Sequence, residues 1–475
     1  MTHTASPADV SASVAPARST GARLRSLAAD VWPFALAATV TFLAFFPGHP
    51  TGDTDDTYRQ ARRELPVENW HPTTNIMIYR IVFSVWDHPA AILALQCVLV
   101  WGGLAGIGVA MRRRWGRPTA RYLVPLGFLP IVFNYLGALM KDTLSMGFTV
   151  VAIACLLLER TASRRGGWLL LAAVVCLWPA YLVKISMLPI VAALLVYIGV
   201  RARIHRRRGA VLLVGAGAAF LGLVAVSPRL VDDALDAKDA QLEHALELFD
   251  LTGITHFSGR NVMGTSILPR DRLDDVTDGR CYDPGSWDPM GWTGTCSFVS
   301  MNARPVWDSD ALQQRWRQAI IDHPLDYVRH RLNHVVTFAL RPGSNQFYYH
   351  DVNDQLDWVA RPNALMDAYD GVIAGTATWP HNRPIVWELA SAGLLAVLLR
   401  RRRRGRAGPF DPVLMATMAG NVLFYVAWLA IGVSSELRYS YTVIVTCLIT
   451  VAVLGAEHFR RTQLRVAGQV GRRGS

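Results

Sequence analysis

The sequence predicts an all-α polytopic membrane protein with roughly ten spans and an α-rich mixed domain inserted between them. Three observations carry this. Apolar runs recur from Trp32 to Ala456. Of the 475 residues 52% are hydrophobic and only 18% charged, against about 25% charged in a soluble domain. The net charge of +12 is gathered as arginine in short clusters between the runs, at residues 112–114, 164–165, 206–208 and 400–404. That is the pattern of cytoplasmic loops and not of a nucleic-acid groove, so nucleic acid is not an expected partner.

The clusters thread the chain in one way. Residues 1–30 are rich in Ala, Ser, Thr and Arg and are expected to be a disordered cytoplasmic N-terminus. Span 31–47 follows and has no cleavage pattern after it, so it stays. Residues 48–88 form the first outer loop. Inside that loop 73–86 are apolar but too short to cross, and predict a helix lying in the outer interface. Span 90–111 returns to the cluster at 112–114. Residues 122–136 go out and 143–158 come back, with Lys141 and Asp142 at the tip. Residues 168–182 and 187–200 make a second hairpin with Lys184 at its tip, and 210–226 goes out again. Residues 227–383 are the extracytoplasmic domain. Residues 384–399 return, 412–433 go out, and 439–456 lead to a basic cytoplasmic tail, 457–475. The organisation is thus a transmembrane region over 31–226, the inserted domain, and C-terminal spans over 384–456. Both termini are cytoplasmic and the expected location is the plasma membrane.

The long polar segment holds Trp287, Trp292, Trp307, Trp316 and Trp358, enough apolar surface for a core, and 310–339 has helical spacing. Cys281 and Cys296 are its only cysteines. Outside the cytoplasm they are expected to pair, and closing a loop of ~15 residues contributes ~3 kcal/mol. Cys97, Cys155, Cys176 and Cys447 lie in apolar runs and read as small buried hydrophobes.

Candidate chemistry lies at the outer tips. The first loop reads Pro47-Gly48-His49-Pro50-Thr51-Gly52-Asp53-Thr54-Asp55-Asp56. Clustered carboxylates repel, so one can keep a raised pKa and act as a base, or together they can hold a divalent cation such as Mg or Mn. The plain reading is a solvated acidic turn that caps a helix. His71, in Trp70-His71-Pro72, could bind phosphate or assist proton transfer, or be a structural hydrogen-bonding histidine. Lysine usage is sharper. Only Lys141, Lys184 and Lys238 occur among 48 basic residues, and two of them sit at hairpin tips. A cation within apolar sequence is costly and marks a candidate site. Asp142 could neutralise its neighbour Lys141, whereas Lys184 has no adjacent acid and wants an anion from elsewhere; snorkelling to headgroups is the plain alternative. The last tip carries Glu436, Arg438 and Tyr439. Arginine suits forked binding of phosphate, and a local Glu436–Arg438 pair competes with that reading. Together the tips put acids and cations on one face of the bundle, where membrane lipid and a lipid-linked anion would meet them.

At these residues the sequence resembles the GT-C superfamily of membrane glycosyltransferases, which use polyprenyl-phosphate sugars. The resemblance is carried by Asp53, Asp55 and Asp56 ahead of the 73–86 helix, by Lys141-Asp142, by His323-Pro324-x-x-Tyr327-x-x-x-Arg331, and by Arg438-Tyr439. It implies an inverting transfer of sugar from a polyprenyl-phosphate donor to an extracytoplasmic acceptor: a cell-envelope glycan, lipid or protein. An outer-loop carboxylate, Asp53 first, would take the acceptor's proton. Lys184, Lys141 and Arg438 would stabilise the phosphate. Asp56 or Asp142 would orient the acceptor or hold a metal. The large soluble C-terminal domain of oligosaccharyltransferases is missing, which argues against protein N-glycosylation. A polysaccharide polymerase or ligase, a transporter or flippase of lipid-linked substrate, and a non-catalytic scaffold are the competing classes. The absence of an internal repeat and of mid-membrane polar residues counts against a transporter.

Overall fold

The computed structural model describes residues 20–116, 120–162, 166–202, 222, 224, 226–291, 294–307, 310–341 and 363–473. Among them regular structure is helical, and extended chain pairs only in isolated bridges. In chain order the main helices are α1 (Thr20–Phe45), α2 (Gly52–Ala61), α3 (Thr74–Phe83), α4 (Ala90–Trp115), α5 (Ala120–Gly127), α6 (Pro130–Gly137), α7 (Lys141–Glu159), α8 (Gly167–Val183) and α9 (Leu188–Arg201). The polar segment contributes α10 (Glu243–Ser258), α11 (Ala311–Asp322) and α12 (Pro324–Leu340). The chain ends with α13 (Ala364–Thr376), α14 (Pro384–Arg403), α15 (Asp411–Ile431) and α16 (Tyr441–Arg473).

Five stretches among the described residues are long and apolar enough to cross a membrane: Ala28–Phe45, Ala90–Trp115, Lys141–Glu159, Asp411–Ile431 and Leu437–Gln463. The helices α8 and α9 are apolar but shorter. Small residues let the bundle close. A Cβ on Gly103 of α4 would stand 2.8 Å from Val150 of α7, and one on Gly147 of α7 would stand 2.8 Å from Leu99. A Cβ on Gly420 of α15 would stand 2.7 Å from the Ile190 Cα of α9. Such close backbone approach is how helices associate where lipid removes the hydrophobic drive. Arginines fill the last turns of α4 and α14, where cations suit the negative helix end. Arg401 there bonds Glu457 at 2.5 Å and Asp411 at 3.0 Å.

Residues 122–136 do not form the single span expected. Pro125 lies inside α5 and Pro130 opens α6. Proline lacks the N–H a continuous helix needs, so the run breaks into two eight-residue helices. Most of the expected span 210–226 lies outside the described residues.

The polar segment buries its own apolar cluster, including Leu248, Phe249, Ile254, Met290 and Leu312, distinct from the bundle's. Cys281 and Cys296 are joined, with Cα atoms 5.5 Å apart. The expected helix over 310–339 divides at His323, because Pro324 starts α12. A buried polar knot ties the segment to the loop after α15. Arg331 bonds Asp250 at 2.6 Å and donates to the Gly432 carbonyl at 2.7 Å. Trp316 Nε1 donates to Asp250 at 2.8 Å. Beside the knot, the Trp287 amide donates to the Val433 carbonyl at 3.0 Å. That loop leads directly to Glu436 and Arg438.

Candidate functional site

The turn after α1 builds the site. Gly48 has φ +115, and a Cβ there would collide with Leu139 at 2.7 Å, so only glycine serves. The His49 amide donates to the Gly137 carbonyl at 2.8 Å, and the Leu139 amide to the His49 carbonyl at 3.0 Å. These bonds clamp the start of α2 against the start of α7. Thr51 and Thr54 form a capping box at the head of α2, which fixes its first turn.

Asp53 in that turn therefore faces Lys141, the first residue of α7. Lys141 Nζ donates to Asp53 Oδ2 at 2.6 Å. Arg438, from the turn before α16, donates to the same oxygen at 3.0 Å. His71 completes the group: its Nδ1 lies 2.9 Å from Lys141 Nζ and its Nε2 3.7 Å from Asp53 Oδ1. An ammonium can only donate, so Nδ1 accepts and Nε2 carries the hydrogen. Glu436 pairs with Arg438. Behind them, Lys184 pairs with Asp142 in full burial and donates to the Tyr439 carbonyl at 3.3 Å. The Tyr439 ring lies 5.4 Å from both Lys184 and Arg438, linking the two pairs.

The ion pairs are crossed relative to the sequence expectation. Asp142 does not neutralise Lys141; it holds Lys184, and Lys141 turns to Asp53. Consecutive helical residues do not face each other, so Lys141 and Asp142 point to different partners. The anion Lys184 wanted comes from within the protein.

The three acids of the first loop do not converge. Asp53 sits in the cation cluster. Asp55 is buried, with Arg59 at 3.8 Å. Asp56, one turn on from Asp53, is exposed and lines a cleft. Among the described residues no three His, Cys, Asp or Glu side chains gather as a metal site. Asp53 Oδ2 is bonded by two cations.

Burial pushes the Asp53 carboxyl up, but the charges of Arg438 and Lys141 outweigh it and hold the group well below the usual carboxylate range. Asp56 moves the other way, raised by the partial desolvation of its carboxyl and by Asp55 and Asp53 beside it. Burial, with the Lys141 charge, brings His71 down from 6.5 to about 4, so its imidazole is neutral at pH 7. The sign follows. As pH falls from 6.5 towards 4, the unfolded chain takes up the proton first and the folded state loses stability. His71→Gln is therefore expected to cut acid sensitivity in that window, read as melting temperature against pH. An identical pH dependence in the variant and the parent would contradict the assignment.

The sequence did not point to the cleft, which Trp70, His71, Lys238, Arg304 and Trp307 help to line. Its walls come from stretches more than 160 residues apart, joined by backbone pairing of 67–69 with Lys238. Two tryptophans near acids were the available signal, but nothing local in the sequence pairs them.

No protein-family model and no curated protein matches this sequence. The chain is similar to one solved structure, that of ArnT from Cupriavidus metallidurans bound to undecaprenyl phosphate. The match is 15% identical, covers 90% of this chain and 78% of that one, and has a TM-score of 0.32. At that score the likeness carries no weight for fold or activity.

Proposed function

We propose that the chain is an inverting glycosyltransferase that draws on a polyprenyl-phosphate sugar at the outer face of the plasma membrane. The reading includes roughly ten spans, cytoplasmic termini and an extracytoplasmic polar segment. The observation that carries it is the convergence of Lys141, Arg438 and Lys184 on Asp53 and Asp142 at one end of the bundle. Two of these cations, Lys141 and Arg438, share a single carboxylate oxygen, which is charge density suited to a phosphate.

The space beside the cluster is only about 10 Å³, room for about one water by that measure. A phosphate enters by taking Lys141 and Arg438 from Asp53. Their departure lets the Asp53 pKa climb back towards its ordinary range, so donor binding arms the base. Asp53 then accepts the proton of an acceptor hydroxyl. The acceptor oxygen bonds the anomeric carbon from the face opposite the phosphate, and the C–O bond to phosphate breaks with its electron pair on the phosphate oxygen. The products are the inverted glycoside and polyprenyl phosphate. The leaving phosphate gains a negative charge, which Lys141 and Arg438, backed by Lys184, stabilise.

The test is turnover. Purified chain in nanodiscs, given polyprenyl-phosphate hexoses and pentoses with a crude envelope-glycan acceptor, is expected to release polyprenyl phosphate. Release from no donor, with the chain folded, would contradict the reading.

A further inference from the structure

The cleft beside the cation cluster has no role in the chemistry above. It is an open cleft of about 660 Å³, inside the range of about 300–1,000 Å³ usual for small-ligand sites. It is reached from the cluster in two ways. Asp53, Asp56 and Gln60 fall at i, i+3 and i+7 on one face of α2, and the latter two line the cleft. His71 lines both the cleft and the small cavity at Asp53.

The walls are pinned. The Lys238 amide donates to the Val67 carbonyl at 2.9 Å, and the Asn69 amide to the Lys238 carbonyl at 3.1 Å. Asn69 Oδ1 accepts from the Ala240 amide at 2.7 Å. The Trp70 ring is set against Trp287 at 5.5 Å. The Trp307 carbonyl meets His244 Nε2 at 3.0 Å. A site held this way spends little ordering itself on binding.

The lining chemistry is specific. Two half-buried indoles, Trp70 and Trp307, offer flat apolar faces. Three carboxylates, Asp56, Glu68 and Asp239, stand with two cations at exposed positions, Lys238 and Arg304. Ionised carboxylates only accept hydrogen bonds, so they suit a ligand rich in hydroxyl donors. The slight acid excess disfavours a phosphorylated or uronic ligand. A neutral saccharide meets both demands, with C–H faces for the indoles and hydroxyls for the carboxylates. The volume leaves room for more than one ring.

We infer that this cleft is the acceptor subsite, and that it binds a neutral oligosaccharide between Trp70 and Trp307 with its reacting end towards His71 and Asp53. The inference rests on the transferase reading for the word acceptor, and on the cleft alone for the saccharide. Its test separates the two. Full-length chain in nanodiscs, without donor, is probed by saturation-transfer NMR at about millimolar concentration. The probes are neutral trisaccharides of glucose, galactose and mannose, a glucuronate-containing trisaccharide, and a Ser/Thr-rich heptapeptide. At least one neutral trisaccharide is expected to bind, with the glucuronate probe weaker. Trp307→Ala is expected to weaken it about tenfold. Glu68→Gln and Asp239→Asn, at exposed positions that leave the fold alone, are expected to weaken it severalfold. Binding of no neutral trisaccharide, binding of the peptide alone, or indifference to all three cleft variants overturns the inference. Binding with these sensitivities but no sugar transfer would leave the cleft assignment standing and remove the transferase. In an active enzyme Trp307→Ala is expected to raise the acceptor KM and leave polyprenyl-phosphate affinity unchanged; a change in donor affinity alone would overturn the acceptor assignment.

Discussion

Asp53→Asn is expected to slow sugar transfer by about 10²–10⁴-fold, the usual contribution of a general base, and at the same time to tighten the binding of polyprenyl phosphate. The two signs follow from one contact. In the ligand-free chain Asp53 holds Lys141 at 2.6 Å and Arg438 at 3.0 Å, and so competes with phosphate for both. Asparagine keeps the volume and removes the competitor. It also removes the carboxylate that would accept the acceptor's proton after the phosphate arrives. Donor affinity and turnover, measured on the same preparation, should therefore move in opposite directions. Loss of both together would make Asp53 part of the binding site rather than the base. Full activity would rule it out and turn attention to Asp56, one helical turn away.

The second large effect concerns Lys184 and Asp142. Both side chains are buried, at 4% and 0% exposure, and they are paired. Removing either alone strands a charge, which costs about 3–5 kcal/mol. Lys184→Met and Asp142→Leu are each expected to lower folded protein in membranes sharply. The double variant replaces the pair by apolar groups, which is often close to neutral, and should recover much of the abundance. The recovered protein then answers a functional question the single variants cannot. If Lys184 helps hold phosphate, the double variant will be folded and still bind polyprenyl phosphate less tightly. Abundance restored together with undiminished donor affinity would make the pair purely a brace beneath Tyr439.

Much of this was legible in the sequence. Apolar run length and arginine clustering place α4, α7 and α15 within a few residues, whereas the helices at the two ends run longer than expected: α1 starts at Thr20, inside the expected disordered N-terminus, and α16 runs to Arg473, through the expected tail. The scarcity of lysine singled out Lys141 and Lys184, and tip position singled out Arg438. What stayed hidden was pairing. Asp53 and Arg438 are 385 residues apart, and they meet because residues 48–49 are clamped on 137–139 while α16 packs on α7. Adjacency in sequence misled at Lys141 and Asp142, because a helix turns neighbours away from each other. The two prolines at 125 and 130 were visible, yet the apolar run through them outweighed their meaning. The three acids of the first loop looked like one group, and helical geometry spread them over three environments.

On donor binding, Lys141 and Arg438 are expected to leave Asp53 and hold a lipid phosphate. A structure of the chain in a nanodisc with undecaprenyl phosphate tests it most directly. The phosphate oxygens are predicted within hydrogen-bond distance of Lys141 Nζ and the Arg438 guanidinium, with Asp53 released from both. A phosphate bound elsewhere, with the Asp53–Lys141–Arg438 contacts intact, would contradict the account.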